Sequence, residues 1–439
     1  MHYIDETSMR HLVIRNIGPV KEVDVELKRF NLFIGPQSSG KSTIAKILST
    51  CSWVEKEVAT TMDEHAVPDK TAFIALMVEF HKMTDYFSEE SEILFETDIV
   101  IISLKGEEFS VKLKNQELYR REKICYIPSE RNSVTLPELQ GFEFGQTNLR
   151  SFLFDWYNAR EFYGKDNKSD ILNLGVRYFY DPNQLKYKDR IEHVNGKTYQ
   201  IPLGSASSGL QSVVPLQIML QYYSDQYFNT FANRTSFDSD VKTRLIQARI
   251  IDKYVLSVAY PGFDYNRRDE LIREQNTRIH EGNPEALELL NKYRTELDRL
   301  TVPISTSFIV EEPEQNLFPQ TQVDLLYYLL SVISHDRDHQ LVMTTHSPYV
   351  LFALNNCMLA HLVKDKLDEE ATSKVESARY ALNPENVSVW SIKDGFLRND
   401  KDEPNMTIQD KRGLVRKNYF NEVMRHVMGD FNMLLEYDD

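Results

Sequence analysis

The sequence predicts an α/β protein: a mixed sheet at its N-terminal end, a parallel core sheet that carries a phosphate-binding loop, and an inserted helical lobe. Three observations predict it. Gly35-Pro36-Gln37-Ser38-Ser39-Gly40-Lys41-Ser42 fits G-x-x-x-x-G-K-[ST], between a strand-like run, Phe30 to Ile34, and a helix-like run from Thr43 to Leu48. Two further strand-like runs end on polar side chains: Ser307 to Val310 on Glu311-Glu312-Pro313-Glu314, and Gln340 to Thr344 on Thr345-His346-Ser347-Pro348. Much of the chain from Leu149 to Leu300 has its apolar residues at helical spacing.

In order, His11 to Ile17 alternates as a strand, Gly18-Pro19 turns, and Val20 to Leu27 alternates again, which predicts a hairpin ahead of the loop strand. The loop's helix is expected to run to about His65 and a second helix over Lys70 to Phe87. Asp98 to Leu104, Phe109 to Lys114 and Lys123 to Ile127 read as strands. Leu149 to Tyr163 reads as a helix, and residues 168–183 give mixed signals. Arg190 to Val194 and Lys197 to Ile201 flank Asn195-Gly196, a strong hairpin signal.

Ser205 to Ser212 opens a long helix through about Tyr227, and 239–258 is another. Gly282-Asn283-Pro284 joins Asp269–His280 to Pro284–Leu300 as a helical hairpin, either a solvated pair or an arm that docks a partner. After the acidic strand end come a helix from Pro319 to about Ser334, the histidine strand, and a helix from Ser347 to Asn355. Ala360–Val363 and Val387–Ile392 read as closing strands, Lys364–Ser377 as a charged loop or helix, and Leu414–Met428 as a last helix with a basic stripe of Arg416, Lys417 and Arg425. This divides the chain into residues 1–132, a lobe of 133–304 with its hairpin at about 266–301, and residues 305–439.

Composition narrows the function. With 439 residues, two or three lobes are expected. No apolar run is long enough to span a bilayer, and the polar first ten residues do not read as a signal peptide, so a cytoplasmic protein is expected. The three cysteines, Cys51, Cys125 and Cys357, show no metal spacing and suggest no disulfide framework. A net charge of −15 lowers the expectation of unaided DNA binding, though it leaves room for a local basic groove or a protein partner.

The loop motif has a chemical reason. Its glycines allow positive φ and close approach to a phosphate, and successive N–H groups with the helix N-terminus form an anion nest. Lys41 reaches the β- and γ-phosphates and Ser42 places a hydroxyl on Mg²⁺. The binding set is Gly35, Pro36, Gln37, Ser38, Ser39, Gly40, Lys41, Ser42 and Thr43. A carboxylate ending a neighbouring strand can hold Mg²⁺ through water, and the next one can act as general base; Glu311 is assigned to the metal and Glu312 to the water. His346 can hydrogen-bond the γ-phosphate or orient the water. Ser207-Ser208-Gly209 at a helix start is a second phosphate grip. One chain has no need of two grips per nucleotide, so this one is expected to serve a second subunit.

The order Asn16-Ile17-Gly18-Pro19, phosphate loop, Ser-Ser-Gly, Glu-Glu-Pro-Glu, Thr-His-Ser-Pro resembles the ABC-type ATPase heads of the RecF/SMC/OLD branch, over residues 10–50, 125–132, 200–225 and 305–395. Within that branch it looks most like stand-alone ATPases of bacterial anti-phage systems such as Septu and PARIS, and the ATPase halves of OLD and Gabija proteins. The resemblance implies a head-to-tail dimer, or a higher oligomer, with ATP between the phosphate loop of one subunit and the signature loop of the other. It makes Ser207 and Gly209 signature contacts, puts Asn16 near base and ribose, and places Glu314-Gln315-Asn316 where the D-loop crosses the interface. Tyr126 to Arg131 resembles a segment near the usual glutamine loop, but no glutamine falls there. Glu311 stands where the family usually has aspartate.

No Toprim or HNH pattern is present, and there is no room for long coiled coils. The expected function is therefore an ATP- and Mg²⁺-dependent switch controlling a separate effector, a nuclease or toxin. The alternatives are a DNA-repair or DNA-clamping ATPase acting directly on DNA, and a scaffold that uses ATP as structural glue.

Overall fold

In a computed structural model of the chain, residues 9–136, 145–196, 198–232, 241–334 and 337–437 are described. β1 (Arg10–Ile17) and β2 (Val20–Glu26) form the expected hairpin, with Ile17 opposite Val20. Its turn needs Gly18: φ is +51°, and a Cβ there would lie 2.3 Å from the Tyr86 ring. β3 (Phe30–Ile34) is wholly buried and leads into the loop and α1 (Lys41–Thr61). α1 stops at Met62, which is left-handed at φ 54°, rather than at His65. α2 (Lys70–Ala75) widens into a π-turn over Leu76–Phe80 and ends at His81, short of Phe87.

A strand the sequence reading missed follows. β4 (Glu92–Thr97) precedes β5 (Val100–Lys105) and β6 (Glu108–Leu113), and β4 pairs with both β1 and β5. The strand expected from Asp98 therefore begins at Val100. β7 (Glu122–Ile127) comes next.

After α3 (Asn148–Arg160) comes a small antiparallel sheet. The mixed signals of 168–183 are two of its strands, β8 (Ser169–Asp170) and β9 (Val176–Tyr180). β10 (Asp189–His193) and β11 (Tyr199–Pro202) are the predicted hairpin. Lys197 and residues 239–240 of the expected elements lie outside the described residues.

α4 (Ser208–Gln221) continues through a π-turn over Tyr222–Gln226 into α5 (Tyr227–Ala232). α6 (Val241–Ile250), a π-turn over Ile251–Leu256 and α7 (Ser257–Ala259) follow. α8 (Arg268–His280) and α9 (Pro284–Thr301) form the helical hairpin, capped by the Asn283 side chain on the Ala286 N–H. The hairpin is anchored at its base, where Arg299 donates to the carbonyls of Gln116 and Tyr119.

The remaining elements are β12 (Ser305–Glu311), α10 (Pro319–Ile333), β13 (Gln340–Thr345), α11 (Pro348–Val363), α12 (Glu369–Lys374), β14 (Val387–Lys393), β15 (Phe396–Leu397) and α13 (Tyr419–Leu435). Two expectations fail here. Ala360–Val363 is the last turn of α11, not a strand. The last helix begins at Tyr419, so Arg416 and Lys417 precede it and the basic stripe does not exist; α13 instead exposes Val423, Met424, Val427, Met428 and Phe431.

The fold is mixed α/β around one eleven-stranded sheet, in the order β6-β5-β4-β1-β2-β15-β14-β3-β13-β12-β7. β14, β3, β13, β12 and β7 are parallel; β6 through β2 are antiparallel. The parallel strands are apolar on both faces because both are covered. Phe308, Val310 and Met343 pack with α3, α4, α10 and α11, while Phe33, Ile309 and Val342 pack against α1 through Ile44, Ile47 and Cys51. Each fully buried Phe here contributes about 2–3 kcal/mol of transfer free energy. All three cysteines are free and buried. Among the described residues no helix is long and apolar enough to cross a membrane.

Candidate functional site

The parallel register brings the predicted site residues to one edge. Ile34 is level with Thr345, Thr344 with Glu311, and Val310 with Ile127. The four strands therefore stop together, and the segments that follow them share the C-terminal edge of the sheet. These are the phosphate loop, the acidic turn, His346 and the segment from Pro128 to Arg131. Ligands bind at such edges in open α/β sheets.

The loop's two glycines are both required. Gly35 has φ +151°, and a Cβ there would lie 2.3 Å from the Ile392 carbonyl oxygen of β14. Gly40 has φ +106°, and its Cβ would lie 2.7 Å from Cγ2 of Val20. α1 starts at Lys41 with no side-chain cap and no acidic residue in its first turn, so its N-terminal N–H groups stay available to an anion. Lys41 is buried and folds back on the loop: Nζ donates to the carbonyls of Gly35 (2.9 Å) and Pro36 (2.7 Å) and to Ser39 Oγ (3.4 Å). Burial pushes its pKa down to about 8, with Glu312 and Glu314 opposing. An ammonium held only by neutral oxygens at an uncapped helix start fits a phosphate.

Glu311 closes β12 and is buried; the Tyr126 hydroxyl donates to its Oε1 at 2.5 Å. Burial raises its pKa, and the Tyr126 bond and Lys46 oppose the shift. Among the described residues no three His, Cys, Asp or Glu side chains group to hold a metal, so a cation here needs ligand oxygens as well as Ser42 and Glu311. A hydroxyl and a carboxylate are the hard donors Mg²⁺ takes together with phosphates.

Glu312 stands in the left-handed region at φ 43°, uncommon for a residue with a side chain, and its N–H donates to the Thr344 carbonyl at 2.9 Å. This turns its carboxylate out of the strand direction to lie 3.4 Å from Nε2 of His346. That hydrogen bond, with the charges of Lys41 and Arg131, lowers the Glu312 pKa. Glu314 approaches from the same turn, accepting the His346 backbone N–H at Oε1. Its other oxygen, Gln315 Oε1 and Thr344 Oγ1 are buried without a hydrogen-bond partner, an orphan group of polar atoms concentrated at this edge.

Ser207 caps α4 by accepting from the Leu210 N–H, and Ser207 and Ser208 are exposed. Gly209 is pressed on the acidic turn: a Cβ would lie 3.0 Å from the Asn316 carbonyl oxygen, and Asn316 Nδ2 donates to Ser212 Oγ at 3.0 Å. Asn16 is exposed at φ 51° and spends its amide on the Glu90 carbonyl at 3.2 Å; the next residues of its turn, Pro19 and Val20, abut Gly40.

Sequence reasoning missed Arg131, which is fully buried and bonds only to main-chain carbonyls. It missed Tyr126 as the partner of Glu311 and Glu314 as the acceptor at His346. The available signal was Tyr-Ile-Pro-Ser-Glu-Arg directly after a strand level with the loop.

No protein-family model matches the chain, and no curated protein matches it. Solved structures similar to it are SMC head, RecF and ABC ATPase domains. The SMC head domain from Thermotoga maritima shares 10% identity at a TM-score of 0.33, covering 79% of this chain and 91% of that one. The recombination mediator protein RecF shares 10% at 0.30, covering 90% and 99%. An ATP-binding cassette of an ABC transporter in its ADP conformation shares 11% at 0.30, covering 89% of each. The chemistry of the site rests on this chain's own residues.

Proposed function

We propose that the chain hydrolyses ATP, in ABC fashion, between two head-to-tail copies of itself. The observation that carries this is the level ending of β3, β12 and β13, which gathers Lys41, Glu311, Glu312 and His346 at one edge. The N–H groups at the start of α1 and the Lys41 ammonium bind the phosphates, and the bonds Lys41 makes to Gly35 and Pro36 are exchanged for phosphate oxygens. Ser42 and Glu311 would hold Mg²⁺, which would neutralise charge on the phosphates. Glu312 accepts the proton of the attacking water, and His346 orients that carboxylate and faces the γ-phosphate.

The second copy is invoked because Ser207 and Ser208 are exposed and, among the described residues, their side chains serve no group of their own chain beyond the α4 cap. Beside the acidic turn and His346, Phe318 is 74% and Tyr349 45% exposed, which gives that edge an apolar rim suited to pairing. ATP-driven pairing then controls a separate effector, a nuclease or toxin, in anti-phage defence. The net charge of −15 supports a protein effector over direct DNA clamping.

The test is ATP turnover against protein concentration. Turnover per chain that rises with concentration, and vanishes in Lys41→Ala along with nucleotide binding, is expected. Turnover per chain that is flat from dilute to concentrated protein excludes the paired site.

A further inference from the structure

We infer that Arg131 is a positioning residue that joins the two halves of the proposed nucleotide site within one chain, so that a nucleotide on a chain's own phosphate loop sets the signature helix which that chain presents to the other site. The inference rests on the reading above and adds to it a path between the sites.

The geometry is that of a clamp. The Arg131 guanidinium touches no carboxylate; it donates to the carbonyls of Glu311 (2.9 Å), Glu312 (2.7 Å) and Pro313 (3.2 Å), and through Nε to the Ser212 carbonyl of α4 (3.1 Å). The first three carbonyls bracket Glu312, which is held at positive φ. A residue in that region persists only where its surroundings over-determine it. The fourth lies in the first turns of α4, directly behind Ser207 and Ser208. A planar fork with five donors can span both elements at once, which a lysine cannot.

A second tie runs parallel to the first. Asn316, also at positive φ, 60°, donates to Ser212 Oγ, and Gly209 is pressed on its carbonyl. The turn that holds the proposed base and the helix that holds the proposed signature thus share two sets of bonds, and displacement of the Glu312 carbonyl on nucleotide binding pulls on Ser212. Coupling between sites of this kind is typically about fivefold or more.

The experiment is hydrogen exchange by mass spectrometry on the dilute full-length chain, too dilute to pair, with and without a non-hydrolysable ATP analogue, comparing wild type with Arg131→Lys. In wild type the analogue is expected to slow exchange at 35–42, at 311–316 and at 208–214. In Arg131→Lys the slowing at 35–42 stays and that at 208–214 is lost. Equal slowing at 208–214 in both proteins overturns the inference, as does no response there in wild type while 35–42 responds. No response at 35–42 in wild type sinks the nucleotide reading itself and this inference with it. Should Arg131→Lys not fold, Arg131→Gln, which also lacks the five-donor fork, is read in the same way: slowing at 35–42 that stays while slowing at 208–214 is lost is expected, and equal slowing at 208–214 overturns the inference.

A purely structural Arg131 would lower stability without separating the two segments. Turnover supplies a further readout: Arg131→Lys is expected to keep the nucleotide Kd of the dilute chain while lowering kcat and the steepness of the ATP dependence. Lowered stability with unchanged kcat and steepness would assign Arg131 to packing alone.

Discussion

Glu312→Gln is the most demanding test of the proposed chemistry. The substitution keeps side-chain length and the ability to accept from His346 and removes only charge and basicity. A positioned general base contributes about 10²–10⁴-fold, or about 2.7–5.4 kcal/mol at about 1.36 kcal/mol per decade. The structure points to the lower half of that range. His346, Lys41 and Arg131 all lower the Glu312 pKa, and a weaker base takes less of the proton in the transition state. We expect kcat to fall by about 10²–10³-fold. Nucleotide affinity should change by less than about threefold, since Lys41 and the α1 N-terminus carry the phosphates and the Glu312 charge is half-exposed and screened. The assay is phosphate release at saturating ATP, with a fluorescent ATP analogue titrated in parallel. A kcat within about twofold of wild type would refute the assignment of the base; loss of nucleotide binding would refute the division of labour between Lys41 and Glu312.

Other expectations follow from the same geometry. Ser208→Arg should leave nucleotide binding by the dilute chain intact and abolish concentration-dependent turnover; it is a cleaner probe than Ser207→Arg, which also removes the α4 cap at a cost of about 1 kcal/mol. If Ser208→Arg turns over normally, no signature contact exists at that helix. Gly40→Ala should cost about 2 kcal/mol or more and abolish nucleotide binding, because a Cβ meets Val20 and the φ is left-handed; an unchanged melting temperature would contradict this. His81 and His339 are buried, and burial pushes their pKa values down to about 3 and about 4. The unfolded chain therefore binds more protons below pH about 6.5, so stability is full above that pH and falls as pH drops toward 4. His81→Phe should flatten the fall in denaturation midpoint between pH 7 and 5; an unaltered slope would remove His81 from the account.

Much of the fold was legible because its signals are local. The loop motif names its own strand and helix, and Asn195-Gly196 and Gly282-Asn283-Pro284 mark their turns through backbone chemistry. The errors came where local signals are degenerate. Ala360–Val363 is apolar and short, and nothing in four residues separates a strand from the end of a buried helix. β4 was absorbed because Glu92–Thr97 alternates only partly, and its identity as a strand comes from β1 and β5 on either side.

The site divides in the same way. Gly35 to Ser42, Glu311, Glu312 and His346 could be named because each follows an apolar run. Arg131 could not, because an arginine reads as surface until the two distant segments whose carbonyls it takes, 311–313 and Ser212, are assembled around it. The left-handed turn at Glu312 is likewise set by its tertiary surroundings.

The strand order has a consequence for how the molecule is made. β3, which leads into the phosphate loop, is flanked by β13 and β14, whose residues lie more than three hundred positions later in the chain. The β1–β2 hairpin and the β4–β5–β6 meander pair near neighbours and can form soon after synthesis, but the slot beside β3 stays unfilled until the ribosome has released Val387–Lys393. The Gly35 turn, shaped against Ile392, is then among the last features to set. A half-made chain would carry the full loop motif and yet lack the walls that shape it, which delays completion of the proposed site until β14 exists.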